Sequence, residues 1–166
     1  MELCDLITEE QKRRIVNLML TNDYEFSNIT KSNPNLFYSN YAYNRNGHQH
    51  TYAIISAFKE ETKIDGMRVR EIKYGLNSKM SQPELYNDKI IIHIYNKRYG
   101  EKSDLVKEYC KKYNSNLNIY PVYAQIEFSK NKLDRINKIE LQLLDEKANV
   151  IDSMLLYVGV KLSKSA

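Results

Sequence analysis

The sequence has few of the residues that mark specialised protein classes. Its 166 residues include no tryptophan, two cysteines, five glycines and three prolines. Two widely separated cysteines, Cys4 and Cys110, do not make a disulfide framework, and five scattered glycines do not make a phosphate-binding loop. The longest apolar runs, such as residues 90–92, are far shorter than the roughly 18 residues that a transmembrane helix needs. These absences exclude a disulfide-rich scaffold, a P-loop nucleotide-binding protein and a helical membrane protein.

The bulk composition is that of an ordinary globular domain. Charged residues make up 28% of the chain, and the residues AVILMFWYC make up 42%, a balance that is not typical of disordered proteins. One domain is the default at this length, so we predict a single domain over residues 1–166. Residues 1–8 contain no basic stretch followed by an apolar one, and we therefore expect a cytoplasmic protein that does not bind membranes.

The basic residues give two further indications. Lysine outnumbers arginine by 18 to 7, and Asn, Ile and Tyr are frequent, a bias typical of AT-rich coding sequences such as those of low-GC bacteria, plasmids or phages. The net charge is +4, and residues 27–100 alone carry 11 basic and 6 acidic side chains. A basic segment attracts acidic partners, including nucleic acids.

The N-terminal segment, residues 1–26, predicts an amphipathic helix over about residues 8–20. Thr8 is followed three residues later by Gln11, which is the spacing of a helix capping box. Apolar residues then recur at helical spacing, at Ile15, Leu18 and Met19. Residues 27–50 are polar and rich in asparagine, and we predict an irregular loop there.

Residues 51–160 predict a sheet with one inserted helix. We predict strands over residues 51–58, 67–74, 89–95, 121–129, 138–143 and 150–157. Periodicity does not separate a strand from a helical turn over residues 51–58, and the charged turn that follows favours a strand paired with 67–74. Residues 103–113 predict a helix capped by Ser103 or Asp104.

The predicted fold class follows from this order of elements. Turns at residues 131–135 and 145–149 join the last three strands, so these strands predict an antiparallel meander. The whole chain predicts an α+β fold, with a largely antiparallel sheet of about six strands covered on one face by two helices.

Residues 45–50 carry the sharpest short motif. The stretch RNGHQH resembles the Arg-polar-x-x-x-His motif of a family of helical-bundle RNases from bacterial defence and toxin systems. The resemblance implies a metal-independent RNase in which Arg45 stabilises a phosphate and His50 transfers a proton. That family is all-helical, whereas the C-terminal half of this chain predicts strands. A polar loop that leads into a strand is therefore the favoured interpretation.

Glu71 and Lys73 form a second candidate site, a Glu-x-Lys pair on a predicted strand. Restriction-endonuclease-like enzymes use such a pair with an upstream carboxylate, here Glu61 or Asp65, to hold Mg²⁺ and activate water. The same pattern recurs at residues 61–63, which favours an exposed strand with paired charges.

The histidines do not predict a metal site. His48 and His50 would point to the same side of a strand, but His93 is the only other histidine and no cysteine lies near. A solvated pair is therefore the favoured interpretation, and the sequence predicts neither a metal nor a cofactor. His93 lies within an apolar strand, where a hydrogen-bonded core histidine is expected.

Aromatic and basic residues are interleaved in the middle of the chain. Such residues suit binding, because tyrosine stacks on bases or fills protein interfaces while basic side chains meet acidic groups. The candidate binding residues are Tyr38, Tyr41, Tyr43, Arg45, Arg68, Arg70 and Lys73.

The sequence as a whole favours a small non-enzymatic protein that binds a macromolecule, with a protein partner favoured over nucleic acid. An inhibitor or accessory factor of a phage or mobile element fits this description, and a homo-oligomer is compatible with it. The alternatives are the metal-dependent nuclease, with Glu71 and Lys73, and the metal-independent RNase, with Arg45 and His50.

Overall fold

The computed structural model of the chain describes residues 1–32, 50–73, 81–97 and 103–159, which form an α+β fold around one six-stranded sheet. The helices are α1 (Glu9–Ser32) and α2 (Asp104–Tyr113), with a 3-10 turn at Leu3–Asp5 and a helical segment at residues 50–55. The strands are β1 (Arg68–Lys73), β2 (Ser81–Tyr86), β3 (Ile90–Asn96), β4 (Val122–Lys130), β5 (Ile136–Leu144) and β6 (Val150–Val158). The predicted fold class is confirmed.

The six strands lie side by side in chain order. All neighbouring strands pair antiparallel except β3 and β4, which pair parallel. A parallel pair needs a crossover connection, and α2 lies in that connection. The Ser103 side chain accepts a hydrogen bond from the Val106 backbone N–H at 3.3 Å, so the predicted cap of this helix is confirmed. The predicted meander of β4, β5 and β6 is confirmed as well.

The two helices pack against opposite faces of the sheet. The core beside α1, which contributes Ile15 and Met19, includes alternate residues of β3, namely Ile90, Ile92 and Ile94. The core beside α2, which contributes Val106 and Cys110, includes Ile91 of β3 and Tyr123 of β4. Because neighbouring strand residues point to opposite faces, the prediction that both helices cover one face is not supported.

Residues 50–55 are helical, so the predicted strand over residues 51–58 is wrong. The Ser56 backbone N–H donates to the Tyr52 carbonyl at 2.8 Å, which is the bond of an α-helical turn. The buried residues of this stretch are Thr51, Ile54, Ile55 and Phe58. Their i, i+3, i+4, i+7 spacing is that of a helix face. The charged turn that follows had favoured the strand, but burial along one helical stripe stabilises a helix there instead.

The helix α1 continues twelve residues beyond the predicted end at residue 20. Its buried stripe carries on beyond Met19 with polar residues, namely Asp23, Ser27 and Thr30. The apolar periodicity therefore stops at Met19, although the buried helix face does not. Residues 27–32 belong to this helix rather than to a loop, and residues 33–49 lie outside the described part. No helix among the described residues is both long and apolar enough to cross a membrane.

The strand β2, which the sequence did not predict, completes the sheet in place of residues 51–58. It pairs with β1 along its length, so the predicted strand at 67–74 is confirmed over Arg68–Lys73 with a different partner. Pro83 stands within this strand, although proline cannot donate a backbone hydrogen bond. The pairing of β2 with β3 includes only Leu85 and Tyr86 of β2, so Pro83 lies where no bond to β3 is needed.

The predicted turns at residues 131–135 and 145–149 are confirmed, and the same pattern of side-chain to backbone hydrogen bonds closes both. The Asn131 side-chain oxygen accepts from the backbone N–H groups of Leu133 and Arg135 at 2.9 and 3.1 Å. In the second turn, Asp145 Oδ1 accepts from the backbone N–H groups of Lys147 and Asn149, at 2.9 Å each. The fourth residue of the first turn, Asp134, has a left-handed φ of 61°, which aspartate tolerates better than most residues.

The capping box at the start of α1 provides a first test of stability. The Gln11 N–H donates to Thr8 Oγ1 at 3.1 Å, and the Thr8 N–H donates to Gln11 Oε1 at 2.9 Å. We expect Thr8→Ala to lower the free energy of unfolding by about 1 kcal/mol, because the first of these bonds is lost. Urea denaturation measures the change. Thr8→Ser keeps the hydroxyl and should lose less, so equal midpoints for wild type and Thr8→Ala would contradict the assignment.

Candidate functional site

Glu71 and Lys73, the predicted nuclease pair, are exposed residues of β1. They occupy the same face of the strand, opposite Pro83 and Ser81 of β2, and both are exposed. The Ser81 hydroxyl donates to Glu71 Oε1. Glu71 is therefore tied to the neighbouring strand as a surface residue.

The residues proposed to hold Mg²⁺ do not gather around Glu71. Glu61 and Glu71 line one pocket of about 450 Å³, but Asp65 lines a different cleft. His93 lies on the other side of the sheet, beside α2. In the described part of the chain, no three His, Cys, Asp or Glu side chains come together as a metal site.

The candidate binding residues are separated by the structure. Arg68 and Arg70 alternate with Glu71 and Lys73, so the two pairs point to opposite faces of β1. The Arg70 guanidinium bonds Glu84 and lies 4.1 Å from the centre of the Tyr86 ring. The remaining candidates, Tyr38, Tyr41, Tyr43 and Arg45, lie outside the described residues, as does His48.

His50 is buried in a cluster of charged side chains that we call the His50 cluster: Asp23, His50, Lys130, Asp134 and Arg135. The imidazole is 2% exposed, with Nε2 at 2.6 Å from Asp23 Oδ1 and Nδ1 at 3.3 Å from Asp134 Oδ2. Arg135 Nε donates to Asp23 Oδ2 at 3.0 Å, and Lys130 Nζ lies 2.9 Å from Asp134 Oδ1. The cluster joins α1, the helical segment and the β4–β5 turn, so His50 is a buried helical residue and not a solvated strand residue.

The charges in the His50 cluster favour the protonated form of His50 and the deprotonated form of Asp23. Burial alone would lower the pKa of His50, but its hydrogen bonds with Asp134 and Asp23 outweigh burial and raise the pKa. Burial alone would raise the pKa of Asp23, but the bonds from His50, Arg135 and the Ile136 N–H hold it below its usual range. Both ring nitrogens of His50 thus contact carboxylates of the described part of the chain.

A second buried cluster, the Glu84 cluster, lies between the sheet and α2 and consists of Arg70, Glu84, His93, Tyr109 and Tyr123. Glu84 and His93 are both fully buried, and His93 Nε2 lies 2.8 Å from Glu84 Oε1. Tyr123 OH lies 3.0 Å from His93 Nδ1. With Nε2 carrying the proton, the imidazole donates to Glu84 and accepts from Tyr123.

The Glu84 cluster holds a neutral histidine beside a charged carboxylate. Burial lowers the pKa of His93 and outweighs the attraction of Glu84. For Glu84, burial would raise the pKa, but hydrogen bonds with His93, Tyr109 and Arg70 lower it. Perturbed groups often mark active sites, yet buried ion-pair networks perturb pKa values as well. His93 is therefore the hydrogen-bonded core histidine that the sequence predicted.

An open cleft of about 860 Å³ lies between α1, residues 60–67 and β1. We call it the charged cleft. Four basic and three acidic side chains line it: Arg13, Arg14, Lys63, Arg68, Glu10, Glu60 and Asp65. Within the described ranges, none of its four basic side chains forms an ion pair. The cleft therefore presents four basic side chains that are not paired with its three acidic ones, and its net formal charge is +1.

The walls of the charged cleft are held by hydrogen bonds to backbone groups. Gln11 Nε2 donates to the Asp65 carbonyl at 2.9 Å, and Arg14 Nε donates to the Lys63 carbonyl at 3.3 Å. Asn87 Nδ2 donates to the Gly66 carbonyl at 3.1 Å. These bonds join α1 and the β2–β3 turn to the loop before β1, so the cleft is a preformed feature.

Comparisons of the chain with protein-family models, with curated protein sequences and with solved structures give no match. The function must therefore be argued from the described residues themselves.

Proposed function

We propose that this protein is a small non-enzymatic binding protein that holds a macromolecular partner in the charged cleft. The observation that carries the proposal is the meeting of four basic side chains without ion-pair partners in one open, preformed cleft. Each exposed charge pair that forms across an interface contributes about 0.2–1 kcal/mol. Several such pairs mainly steer and orient a partner of opposite charge.

A protein with an acidic surface segment is the partner that the cleft fits best. Glu10, Glu60 and Asp65 lie among the basic side chains, and they would repel a continuous phosphate backbone. A protein surface can instead place acidic groups against the arginines and basic or neutral groups against the carboxylates. We propose that this protein acts in this way as an inhibitor or accessory factor of a phage or mobile element.

The burial of the candidate catalytic groups supports a non-enzymatic role. A general base must come within hydrogen-bond reach of a substrate proton, whereas His50 and His93 are 2% and 0% exposed and bonded to other side chains. Glu71 and Lys73 are accessible, but the described carboxylates that would complete a metal site lie apart from them. No described geometry favours either nuclease alternative over binding.

Charge reversal in the cleft tests the proposal. We expect Arg13→Glu/Arg68→Glu to weaken the binding of a fluorescent peptide that alternates glutamate with serine at least about tenfold, because two attractions become repulsions. Fluorescence anisotropy at low salt measures the affinity. The matched control, Lys107→Glu/Lys132→Glu, changes the net charge equally at exposed positions away from the cleft and should bind as the wild type does.

A labelled single-stranded oligonucleotide serves as the second probe in the same titrations. Tighter binding of the oligonucleotide than of the peptide, with an affinity that falls steeply as salt rises, would assign a nucleic-acid partner instead. Cleavage of the oligonucleotide with Mg²⁺, lost in Glu71→Ala, would overturn the non-enzymatic role. Equal binding by the cleft variant and its control would remove the cleft as the site.

A further inference from the structure

The His50 cluster joins three parts of the chain that are distant in sequence. Asp23 lies in α1, His50 lies in the helical segment, and Lys130, Asp134 and Arg135 surround the β4–β5 turn. Phe26 of α1 stacks on the imidazole, with ring centres 4.7 Å apart and planes inclined by 15°. The imidazole is therefore the shared contact of these elements.

We propose that His50 is a proton-dependent latch that ties α1 to the β4–β5 turn when its imidazole is charged. The charged ring donates from Nε2 to Asp23, at 2.6 Å, and from Nδ1 to Asp134, at 3.3 Å. One imidazolium thereby bridges a carboxylate of the helix and a carboxylate of the turn.

Loss of the proton changes the partner of one ring nitrogen. The neutral ring still donates from Nε2 to Asp23, but its Nδ1 becomes an acceptor and no longer binds Asp134 Oδ2. Lys130 Nζ lies 3.4 Å from Nδ1 and is the donor available to it. Lys130 Nζ also lies 2.9 Å from Asp134 Oδ1, so the same ammonium group would donate to both Asp134 and the imidazole. The bridge from helix to turn is then weaker than in the charged form.

The balance between the two forms depends on every described charge that faces the ring. Asp23 of α1 and Asp134 of the turn favour the proton, whereas Lys130 of β4 opposes it. Arg135 opposes protonation less directly, because its guanidinium binds Oδ2 of Asp23 and not the oxygen that contacts the ring. The carboxylate contacts, at 2.6 and 3.3 Å, are shorter than the lysine contact at 3.4 Å, and the raised pKa of His50 agrees with this order.

The sign of the pH effect follows from the direction of that shift. A histidine whose pKa is higher in the folded than in the unfolded chain stabilises the fold fully below the unfolded pKa of about 6.5. This contribution is lost as the pH rises through the folded pKa. For one proton, the equilibrium constant of unfolding should rise about tenfold per pH unit between the two values.

Two measurements on the full chain test the latch. We expect NMR titration of the histidine ring signals, assigned with His50→Gln, to show His50 titrating above about 6.5. We expect urea denaturation between pH 6 and 9 to show that wild type loses stability as the pH rises. His50→Gln should lose this dependence, and Asp134→Asn should reduce it because one of the two carboxylates is gone.

Asp134→Asn keeps the experiment decisive if His50→Gln does not fold, because the Asp134 side chain is 56% exposed and asparagine accepts the same left-handed backbone. A His50 pKa at or below about 6.5 would overturn the proposal. An unchanged pH dependence of stability in either variant would overturn it as well.

Discussion

Replacing Glu84 with alanine is expected to lower the free energy of unfolding by about 3–5 kcal/mol, the usual cost of removing one partner from a buried charge pair. Glu84 is fully buried and is bonded to His93 and Arg70. Its removal leaves the His93 N–H and the Arg70 guanidinium without their acceptor. The Arg70 side chain, which is 45% exposed, can turn to water, but the buried His93 cannot. Urea denaturation at neutral pH measures the loss.

Glu71→Ala is the matched control for this prediction. Glu71 lies on the strand paired with β2 and has the same side chain, but it is exposed. Its replacement should change stability by no more than about 0.5 kcal/mol. Glu84→Gln, which keeps an acceptor oxygen, should fall between the two alanine variants. A loss in Glu84→Ala as small as that in Glu71→Ala would show that the Glu84 cluster does not stabilise the fold.

Asp23→Asn is expected to cost a similar amount, about 3–5 kcal/mol. The Asp23 carboxylate accepts from His50, from Arg135 and from the backbone N–H of Ile136 at 2.6, 3.0 and 3.0 Å. An amide offers one acceptor oxygen in place of two, so at least one buried donor loses its partner. Thermal or urea unfolding at pH 6, where His50 is charged, measures the effect.

Asp134→Asn makes the identical chemical change on the other side of the same imidazole. The Asp134 side chain is 56% exposed, against 1% for Asp23, so water replaces what the variant loses. We expect a cost of about 0–1 kcal/mol. Equal costs for the two variants would mean that burial does not decide the strength of the His50 cluster.

The candidate site was only partly predictable from the sequence. Arg68 was among the predicted binding residues and lines the charged cleft, but Arg13 and Arg14 were not, because their helix was interpreted only through its apolar face. His50 was singled out as one end of a short motif, and its buried charged partners were not predicted. Its partners are 27 and 84 residues away in sequence, and no spacing rule relates residues at such separations.

Glu84 was missed for a related reason. It lies in a short stretch with Pro83 that gave no strand signal, so no side of a sheet could be assigned to it. His93 is a polar residue in an apolar strand. Such a residue indicates that a hydrogen-bond partner exists, because buried polar groups are hydrogen-bonded. That partner is supplied by the neighbouring strand, and only the pairing of β2 with β3 identifies it.

The sequence by itself determined the features that rest on contacts within a few residues. The Thr8–Gln11 capping box, the Ser103 cap, the turns at 131–135 and 145–149 and the three strands of the meander all follow from local hydrogen bonds and alternation. These interactions form between neighbours in the chain, so residue type and spacing are sufficient to predict them.

At some positions the local sequence allowed more than one structure, and there only the long-range packing of the tertiary structure decided which one forms. Residues 50–55 became a helix because one helical stripe could be buried, and α1 continued past Met19 because the polar residues of its stripe found partners. The opposite placement of α1 and α2, the charged cleft and the two buried clusters likewise depend on groups far apart in sequence. Burial and charge pairing act through space, and leaving one buried charge without its partner costs several kcal/mol, more than the propensities of about 1 kcal/mol or less that act along the chain.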